Sequence, residues 1–359
     1  MHVILAGGGT GGHVYPALAM GDALKGHGLK VSYIGDPERL EARVAPERGY
    51  DFHPLSAPRY PRGGIKGKLG FAFSLLGATL RARKKLKELD ADLVLGVGGY
   101  ISAPTVLAAW TLGVPRVIHE ANLAPGLANR LCAKVANLAL LTYEASGPRL
   151  GGPADKVTVG CPVNPKVLQG NRAQARAHYG LREDQPVLLV VGGSLGAATL
   201  NAMALASARM TGRPWQLLWI TGPRYHAEVM ADLGQIPEGV ALVDYETRMG
   251  RAYAAADLVL ARAGSSTLSE LTALGKPAVL IPSPNVTDNH QEQNARGLEH
   301  LGAVMVFVEQ GLDIPTAIER IGMLLRNEMA LEAMSTASKE QGRTEAAQEV
   351  AELLIERFG

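Results

Sequence analysis

The residues best suited to chemistry in this chain of 359 residues begin directly after its first apolar run. The segment Gly7-Gly8-Gly9-Thr10-Gly11-Gly12 places five glycines in six residues, and His13 follows at once. A glycine loop between a buried strand and a helix exposes backbone N–H groups beside the positive helix end, and that arrangement binds phosphate. The loop therefore predicts a phosphate site without indicating which phosphate.

His13 is a candidate general base. An imidazole has an ordinary pKa of about 6.5, and the positive end of a helix favours its neutral form. In that form His13 could take a proton from a sugar hydroxyl. A histidine that only hydrogen-bonds the loop is equally compatible with the sequence.

A second glycine loop, Gly192–Ala197, follows the apolar run Val187–Val191 and adds the hydroxyl of Ser194. One phosphate-type loop in each half of the chain suggests that one half holds a donor diphosphate and the other an acceptor diphosphate. Glu270 follows a turn rich in Gly, Ser and Thr, and its two carboxylate oxygens suit the vicinal hydroxyls of a ribose. The alternative is a glutamate placed in the first helical turn for the helix dipole.

Two further polar features leave alternatives open. Gln291, in a polar loop after a buried strand, could both donate to and accept from sugar hydroxyls, or it could simply begin a solvated helix. The first loop also fits the dinucleotide pattern G-x-G-x-x-G, with Asp36 after the second strand. A nicotinamide enzyme would, however, leave the second loop and the segment around Glu270 unexplained.

These residues need a scaffold of alternating strands and helices. Short runs that are apolar on consecutive positions predict parallel strands buried on both faces, joined by helices in right-handed crossovers. The predicted strands are Val3–Ala6, Val31–Ile34, Leu93–Val97, Arg116–Ile118, Leu138–Leu141, Val157–Val159, Val187–Val191, Gln216–Ile220, Val240–Val243, Leu258–Ala261, Ala278–Ile281 and Val304–Val308. The fold class is α/β, with two doubly wound Rossmann-like domains expected to face each other across a cleft.

The predicted domains divide at a proline-rich hinge. The first comprises residues 1–160 together with a C-terminal helix at about 341–359, and the second comprises residues 161–340. Two domains fit the chain length. Hydrophobic residues at 47% and charged residues at 19% indicate a globular protein, and aromatic residues at only 5% argue against a nucleic-acid partner. No signal peptide or transmembrane helix is expected.

A basic amphipathic segment lies between Arg59 and Lys87, where nine Lys or Arg occur and no acidic residue. It either packs its apolar stripe on the sheet or lies against a membrane of anionic lipids, to which each basic residue adds about 1 kcal/mol of attraction. The charge pattern alone leaves both alternatives open, and we favour the membrane because of the family resemblance that other motifs of the chain carry. The predicted membrane-contacting side chains are Ile65, Leu69, Phe73, Leu76, Leu80, Lys66, Lys68 and Arg81.

The motifs together resemble the MurG family, the cell-wall N-acetylglucosaminyltransferases of glycosyltransferase family 28 with the GT-B fold. The resemblance runs from residue 1 to about 350, in the order and spacing of that family. It rests on GGGTGGHVYPALA, VGGYISAPTVLAAW, HEAN, GGSLGA, RAGSSTLSEL and DNHQEQNA.

The resemblance implies an inverting transfer of N-acetylglucosamine from UDP-N-acetylglucosamine to the 4-hydroxyl of N-acetylmuramic acid in undecaprenyl-diphospho-muramyl-pentapeptide. It also implies a peripheral protein at the cytoplasmic face of the bacterial membrane, with other cell-wall synthesis proteins as potential partners. The implied substrate-binding residues are Thr10, Gly11, Gly12, Asn122, Asn164, Ser194, Glu246, Glu270 and Gln291, with His13 as base. Asn122 would contact the donor sugar, Ser194 the diphosphate, and the backbone around Glu246 the uracil.

Two positions depart from the family pattern. Asn164 stands where relatives carry an arginine after the hinge, so a cation that would neutralise diphosphate charge is missing, and Lys166 is a candidate substitute. Ala121, within HEAN, stands where relatives often carry glutamine.

No metal or other cofactor is expected to be required. Asp90-Ala91-Asp92 matches the metal motif D-x-D of a different transferase fold, but it precedes a strand, at the edge of the sheet opposite to the expected site. Helix ends and loop N–H groups can stabilise the departing diphosphate instead. The functional alternatives are a UDP-N-acetylglucosamine 2-epimerase and a non-catalytic UDP-sugar-binding protein at the membrane.

Overall fold

The computed structural model describes residues 1–60 and 65–359, and the side chains of these residues apart from 65–69 and 287. The chain forms two compact units. The first comprises Met1–Asn164 and Arg343–Gly359, and the second comprises Pro165–Gly342. Both are built on parallel sheets, as the consecutive apolar runs predict.

The first unit contains a seven-stranded parallel sheet in the order β3-β2-β1-β4-β5-β6-β7. Its strands are β1 His2–Ala6, β2 Lys30–Gly35, β3 Asp51–Pro54, β4 Leu93–Gly96, β5 Arg116–Glu120, β6 Leu138–Leu141 and β7 Asp155–Thr158. Its helices are α1 Gly11–Gly26, α2 Leu40–Glu47, α3 Ile65–Glu88, α4 Ser102–Leu112, α5 Leu127–Cys132 and α6 Gly147–Leu150, with a short 3-10 turn at Glu144–Ser146.

Strand β1 shows why consecutive apolar residues are needed. Val3 and Leu5 enter one hydrophobic core and Ile4 and Ala6 the other, so the strand is buried on both faces. Burial of this kind contributes roughly 25 cal/mol for each Å² of apolar surface removed from water. The helices that supply the two cores thereby fix the sheet and the loops that leave its carboxyl edge.

The sequence did not predict strand β3. Its residues Asp51–Pro54 pair in parallel with β2 at the edge of the sheet, and they are half-buried or exposed. Asp51 and His53 stand on either side of half-buried Phe52, and exposed Pro54 follows, so no consecutive apolar run marks this edge strand.

The second unit contains a six-stranded parallel sheet in the order β10-β9-β8-β11-β12-β13. Its strands are β8 Val187–Val191, β9 Gln216–Ile220, β10 Val240–Val243, β11 Leu258–Ala261, β12 Ala278–Leu280 and β13 Val304–Val306. Its helices are α7 Arg172–Tyr179, α8 Ala198–Ala208, α9 His226–Leu233, α10 Met249–Ala255, α11 Ser265–Leu274, α12 His290–His300, α13 Ile314–Leu325 and α14 Glu328–Glu340, with 3-10 turns at Pro165–Leu168 and Thr287–Asn289.

The last helix, α15 (Ala346–Phe358), belongs to the first unit. Val350, Ala351 and Leu354 are fully buried in the same core as the residues of α1. Arg357 on this helix pairs with Asp155 of β7 at 3.0 Å. The chain therefore completes its first hydrophobic core only with its final residues.

Candidate functional site

The strand order reverses once in each sheet, and the motifs lie at these reversals. In the first sheet β1 lies between β2 and β4, and in the second β8 lies between β9 and β11. Loops at the carboxyl ends of such neighbouring strands diverge and leave a crevice for ligands. The two glycine loops follow β1 and β8, so each occupies the reversal point of its own sheet.

The first glycine loop presents Thr10 and His13 together. Helix α1 begins at Gly11, and the Thr10 hydroxyl lies 3.2 Å from Nδ1 of His13. A Cβ on Gly98, in the loop after β4, would lie 2.9 Å from Nε2 of His13. Thr10 therefore orients the imidazole ring of His13 from one side. On the other side, Gly98 leaves room for the ring because it has no Cβ.

The loop after β4 packs backbone to backbone on the first loop. A Cβ on Gly99 would lie only 2.3 Å from the carbonyl oxygen of Gly8, and Gly99 has a φ of +78°, which favours glycine. Tyr100 follows and donates its hydroxyl to the Asp36 carboxylate at 2.6 Å, with the guanidinium of Arg59 above its ring. Because Tyr100 engages Asp36, this geometry argues against Asp36 as the ribose-binding acid of a nicotinamide enzyme.

One donor of the first loop is already used inside the protein. The N–H of Gly9 donates to both carboxylate oxygens of Glu41 at 3.2 Å. We expected from the sequence that the N–H groups of this loop face a phosphate, and for Gly9 the structure shows an internal carboxylate instead. Thr10, Gly11 and Gly12 form the remaining part of the loop, at the start of α1.

Asn122 is held by a buried acid that the sequence did not single out. Glu120, at the end of β5, is only 2% exposed. One of its carboxylate oxygens accepts from the backbone N–H of Asn122 at 2.9 Å and from its side-chain amide, and the other accepts from Gly126 and Asn129. Burial raises the pKa of Glu120, and these four donors oppose the rise. Glu120 thereby fixes the HEAN loop.

In the second unit the glycine loop carries an exposed Ser194 into helix α8. Gly196 has a φ of +81°, and a Cβ there would lie 2.1 Å from the carbonyl oxygen of Thr221, so only glycine fits. The loop therefore lies tightly on the end of β9 while the Ser194 hydroxyl remains accessible.

Glu270 lies one and a half turns into helix α11, beyond its first turn, which contains no acidic residue. The placement for the helix dipole that we considered from the sequence is therefore wrong. Its carboxylate is partly buried and accepts from the Tyr253 hydroxyl at 2.8 Å. Burial raises the pKa of Glu270 to about 7, and the hydrogen bond from Tyr253 opposes the rise.

Gln291 lies at the start of helix α12 and is half-buried, so it is not simply solvated. Its side-chain oxygen accepts from the backbone N–H of Ser283 at 2.9 Å, which closes the loop after β12. Arg262, after β11, donates to the carbonyl oxygen of Ile281 and forms an ion pair with Glu309. These contacts join the carboxyl ends of three neighbouring strands, and sequence reasoning missed Arg262 and Glu309.

The Glu246 side chain is engaged within its own unit. Its two carboxylate oxygens accept from the Tyr179 hydroxyl and from the backbone N–H of Arg248. Only backbone recognition was expected at this position, and the geometry is compatible with it.

Asn164 is partly buried and is the last residue of the first unit's main segment. Lys166 is exposed in the second unit.

The Asp90-Ala91-Asp92 segment connects α3 to β4 at the amino edge of the first sheet, as predicted. Asp92 accepts from the backbone N–H of His2. Within residues 1–60 and 65–359, no group of three or more His, Cys, Asp or Glu side chains is arranged to hold a metal ion.

Helix α3 presents a row of exposed apolar side chains. Phe73, Leu76 and Leu80 are 75%, 57% and 59% exposed, whereas Ala82 and Leu86 enter the core. For these three residues, packing of the apolar stripe on the sheet is excluded. Arg81 is exposed and donates to the carbonyl oxygen of Ser56. The side chains of the other predicted membrane residues lie outside the described ones; these are Ile65, Lys66, Lys68 and Leu69.

In the part of the chain that the structure describes, no helix is both long and apolar enough to cross a membrane.

Two family domains match the chain. Residues 3–140 match the glycosyltransferase family 28 N-terminal domain, and residues 187–350 match the family's C-terminal domain. A relative from Salinibacter ruber is 38% identical over 98% of this chain and 95% of its own length. The chain belongs to glycosyltransferase family 28. It is therefore a glycosyltransferase with two parallel-sheet α/β domains, as the motifs predict.

Two relatives that are 38% identical to this chain carry the same name. The Salinibacter ruber protein and another from Acidithiobacillus ferrooxidans, 38% identical over 99% of this chain and 98% of its own length, are both UDP-N-acetylglucosamine–N-acetylmuramyl-(pentapeptide) pyrophosphoryl-undecaprenol N-acetylglucosamine transferases. The family 28 fold is also seen in the crystal structure of Acinetobacter baumannii MurG, with a TM-score of 0.78, 28% identity and 99% of each chain covered.

A UDP-GlcNAc 2-epimerase from Neisseria meningitidis has a similar fold. It superposes with a TM-score of 0.69 and covers 99% of this chain and 100% of its own, but it is only 14% identical. At this identity the likeness shows the common fold alone, so it does not carry the epimerase activity over to this family 28 chain.

Proposed function

We propose that this chain transfers N-acetylglucosamine from UDP-N-acetylglucosamine to the 4-hydroxyl of N-acetylmuramic acid in undecaprenyl-diphospho-muramyl-pentapeptide. The reaction converts lipid I into lipid II in peptidoglycan synthesis. The observation that carries the proposal is the near full-length similarity to transferases of that name, at 38% identity. The loops at the two strand reversals provide residues of the kinds that this reaction needs.

The donor binds to the second unit. Ser194 and the N–H groups at the start of α8 meet the diphosphate, since a hydroxyl and a positive helix end both favour phosphate oxygens. Glu270 accepts from the two ribose hydroxyls, and the backbone around Glu246 meets the uracil. The oxygen of Gln291 is engaged by Ser283, so the amide group of Gln291 donates to the hydroxyls of the sugar. Asn122 of the first unit adds a contact to that sugar.

The acceptor binds to the first unit at Thr10, Gly11, Gly12 and His13. The 4-hydroxyl oxygen of N-acetylmuramic acid attacks C1 of the donor sugar, and His13 takes the hydroxyl proton. The bond between C1 and the β-phosphate oxygen breaks, its electron pair leaves on UDP, and the configuration at C1 inverts. The contact between the Thr10 hydroxyl and Nδ1 supports Nε2 as the accepting atom. With Asn164 at the hinge, Lys166 is the proposed cation for the diphosphate.

The acceptor's undecaprenyl chain stays in the bilayer, so the enzyme acts as a peripheral protein at the cytoplasmic face of the membrane. Helix α3 provides the contact, with exposed Phe73, Leu76 and Leu80 entering the lipid and Arg81 facing anionic headgroups. Other cell-wall synthesis proteins are natural partners, because the product must be passed on within the same membrane.

The test is transfer of radiolabelled N-acetylglucosamine to a short-chain lipid-linked muramyl-pentapeptide by the wild type and by His13→Ala. We expect transfer by the wild type, a loss of about 10²–10⁴-fold in kcat for the variant, and unchanged UDP binding. The matched control is His27→Ala, at the exposed far end of the same helix α1, which should keep full activity.

Three outcomes would contradict the proposal in different ways. Conversion of the donor to its 2-epimer without transfer would identify an epimerase. Donor binding without any turnover would identify a non-catalytic UDP-sugar-binding protein. Full transfer by His13→Ala would keep the transferase but remove His13 as the base.

A further inference from the structure

Glu41 lies at the centre of the first glycine loop although it comes from helix α2. Its side chain is completely buried. Both carboxylate oxygens accept from the N–H of Gly9 at 3.2 Å, and one of them also accepts from the N–H of Asp36 at 3.2 Å, after β2. The carboxylate therefore joins the loop after β1 to the loop after β2.

The surrounding glycines make room for this one side chain. A Cβ on Gly8 would lie 1.8 Å from a carboxylate oxygen of Glu41, and a Cβ on Gly35 would lie 2.6 Å from its Cγ. Two glycines of the carboxyl edge are thus explained by Glu41 and not by a ligand. Gly9 has a φ of +93°, so its N–H is turned toward the carboxylate in a conformation that other residues rarely adopt.

A glycine loop of this type usually meets the phosphate of a ligand with its N–H groups. Here an internal carboxylate takes the place of that anion at Gly9. The loop is therefore held in one conformation before any substrate arrives. Thr10 follows Gly9 directly, and His13 lies within the same short segment, in the first turn of α1. Such preorganisation matters because a displacement of about 1 Å in a reacting group can cost about 10²-fold in rate.

We propose that Glu41 is a positioning residue for sugar transfer, in which its buried carboxylate occupies the anion position of the first glycine loop and fixes the placement of Thr10 and His13. This inference rests on the proposed transferase function and assigns a task to a residue that does not contact substrate. It also assigns the acceptor diphosphate to Thr10–Gly12 and not to Gly9.

The experiment compares Glu41→Ala, Glu41→Gln and Glu41→Asp in the full chain. We expect Glu41→Ala to lower kcat by about 10²-fold while the KM for the donor, bound by the other unit, is unchanged. Added formate should restore part of the lost rate by refilling the anion position. The kcat of Glu41→Gln should be intermediate. Its amide oxygen can accept from one N–H, whereas its NH₂ group would face the N–H of another residue and could not accept from it. The control is Glu47→Gln, exposed at the end of the same helix, which should match the wild type.

Hydrogen exchange at the Gly9 amide gives a readout independent of transfer. Its protection should fall in Glu41→Ala and be partly retained in Glu41→Gln. If the wild type made no lipid II but this protection still depended on Glu41, the proposed function would fail while the loop-holding role survived. Should Glu41→Ala not fold, Glu41→Gln and Glu41→Asp decide whether Glu41 positions the loop. A folded Glu41→Ala or Glu41→Gln with wild-type kcat and Gly9 protection would overturn the inference.

Discussion

In the proposed donor site, the ionisation of Glu270 would be coupled to donor recognition. In the ionised form both carboxylate oxygens can accept from ribose hydroxyls, whereas the protonated form has lost one acceptor. Burial raises the pKa of Glu270 to about 7, and the hydrogen bond from Tyr253 opposes that rise. The group therefore changes charge within the physiological range of pH, while the diphosphate of UDP-N-acetylglucosamine, esterified at both ends, does not.

The KM for the donor should consequently depend on pH. Because the pKa of Glu270 is raised to about 7, the binding form is complete above that pH and is lost as the pH falls through it. We expect the donor KM to rise about tenfold between about pH 8 and pH 6. Removing the Tyr253 hydroxyl in Tyr253→Phe should raise the pKa of Glu270 further and move the rise in KM to higher pH.

Steady-state kinetics at several pH values, with saturating acceptor, would measure this effect. Glu270→Gln is the control, since an amide does not titrate and its donor KM, although higher, should be flat. A wild-type donor KM that is the same at both ends of this range would rule out Glu270 as the titrating donor ligand.

Motifs in the chain locate the residues proposed to touch substrate, but not those that hold them. Ser194 and His13 lie in glycine-rich segments next to apolar runs, so local sequence marks them. Glu41 and Tyr253 act from other helices through hydrogen bonds to distant residues, and nothing in their local sequence differs from that of an ordinary helix. Only folding brings such pairs together, which is why the sequence did not identify them.

At the scale of the elements, helix α3 exposes three large apolar side chains. Its buried side packs through small residues such as Ala78 and Ala82, while Phe73, Leu76 and Leu80 remain exposed. Three large apolar side chains spaced i, i+3 and i+7 form one stripe on a helix, and exposed apolar stripes of this kind mark interaction surfaces. Sequence periodicity predicts the stripe but does not tell which side faces the core, since that depends on the packing of α3 against α4.

Replacing the stripe should weaken membrane binding without unfolding the protein. We expect each of Phe73→Ser, Leu76→Ser and Leu80→Ser to lower partitioning onto vesicles of anionic phospholipid about tenfold, since each side chain loses roughly 1.4 kcal/mol of burial in lipid. Sedimentation with vesicles would measure it. The melting temperature and the kinetics on a short-chain soluble acceptor should hardly change, because all three side chains are exposed.

Met329→Ser is the matched control for the α3 variants, because Met329 is 83% exposed on α14 of the other unit. Its vesicle binding should equal that of the wild type. Equal partitioning of all four variants would show that the stripe does not contact lipid.

At the scale of the whole molecule, each unit carries one strand reversal and one phosphate-type loop. The two units therefore place their glycine loops at equivalent positions of their sheets. Of the thirteen strands that the structure describes, the apolar runs predict twelve, and the half-exposed edge strand β3 is the one among them without that signal. The local sequence of the last helix says little about which unit it belongs to; its assignment to the first domain rests on the lack of a strand after it. Its burial against α1 depends on long-range packing by Val350 and Leu354.

The same arrangement predicts transfer without a metal ion. The leaving UDP gains negative charge on its β-phosphate, and a glycosyltransferase must stabilise that charge by a cation or by fixed dipoles. In the second unit, helices α8 and α11 both begin at the carboxyl edge of the adjacent strands β8 and β11. Helix α8 follows the second glycine loop, which contains Ser194, and α11 follows the loop before Ser265. Two positive helix ends are thus available at one strand reversal, whereas the only D-x-D segment lies at the amino edge of the other unit's sheet.

We therefore expect the rate of transfer to be unchanged after exhaustive treatment with EDTA and in buffers free of divalent ions. The measurement is initial rates with and without added Mg²⁺ or Mn²⁺, using a detergent-solubilised acceptor so that ions do not act through the membrane surface. The helix-end explanation adds a second requirement: Ser194→Ala should raise the donor KM equally with and without the ions, because the loop and not a metal meets the phosphate. Loss of activity with EDTA that Mg²⁺ restores would mean that a metal, and not the helix ends, neutralises the leaving diphosphate.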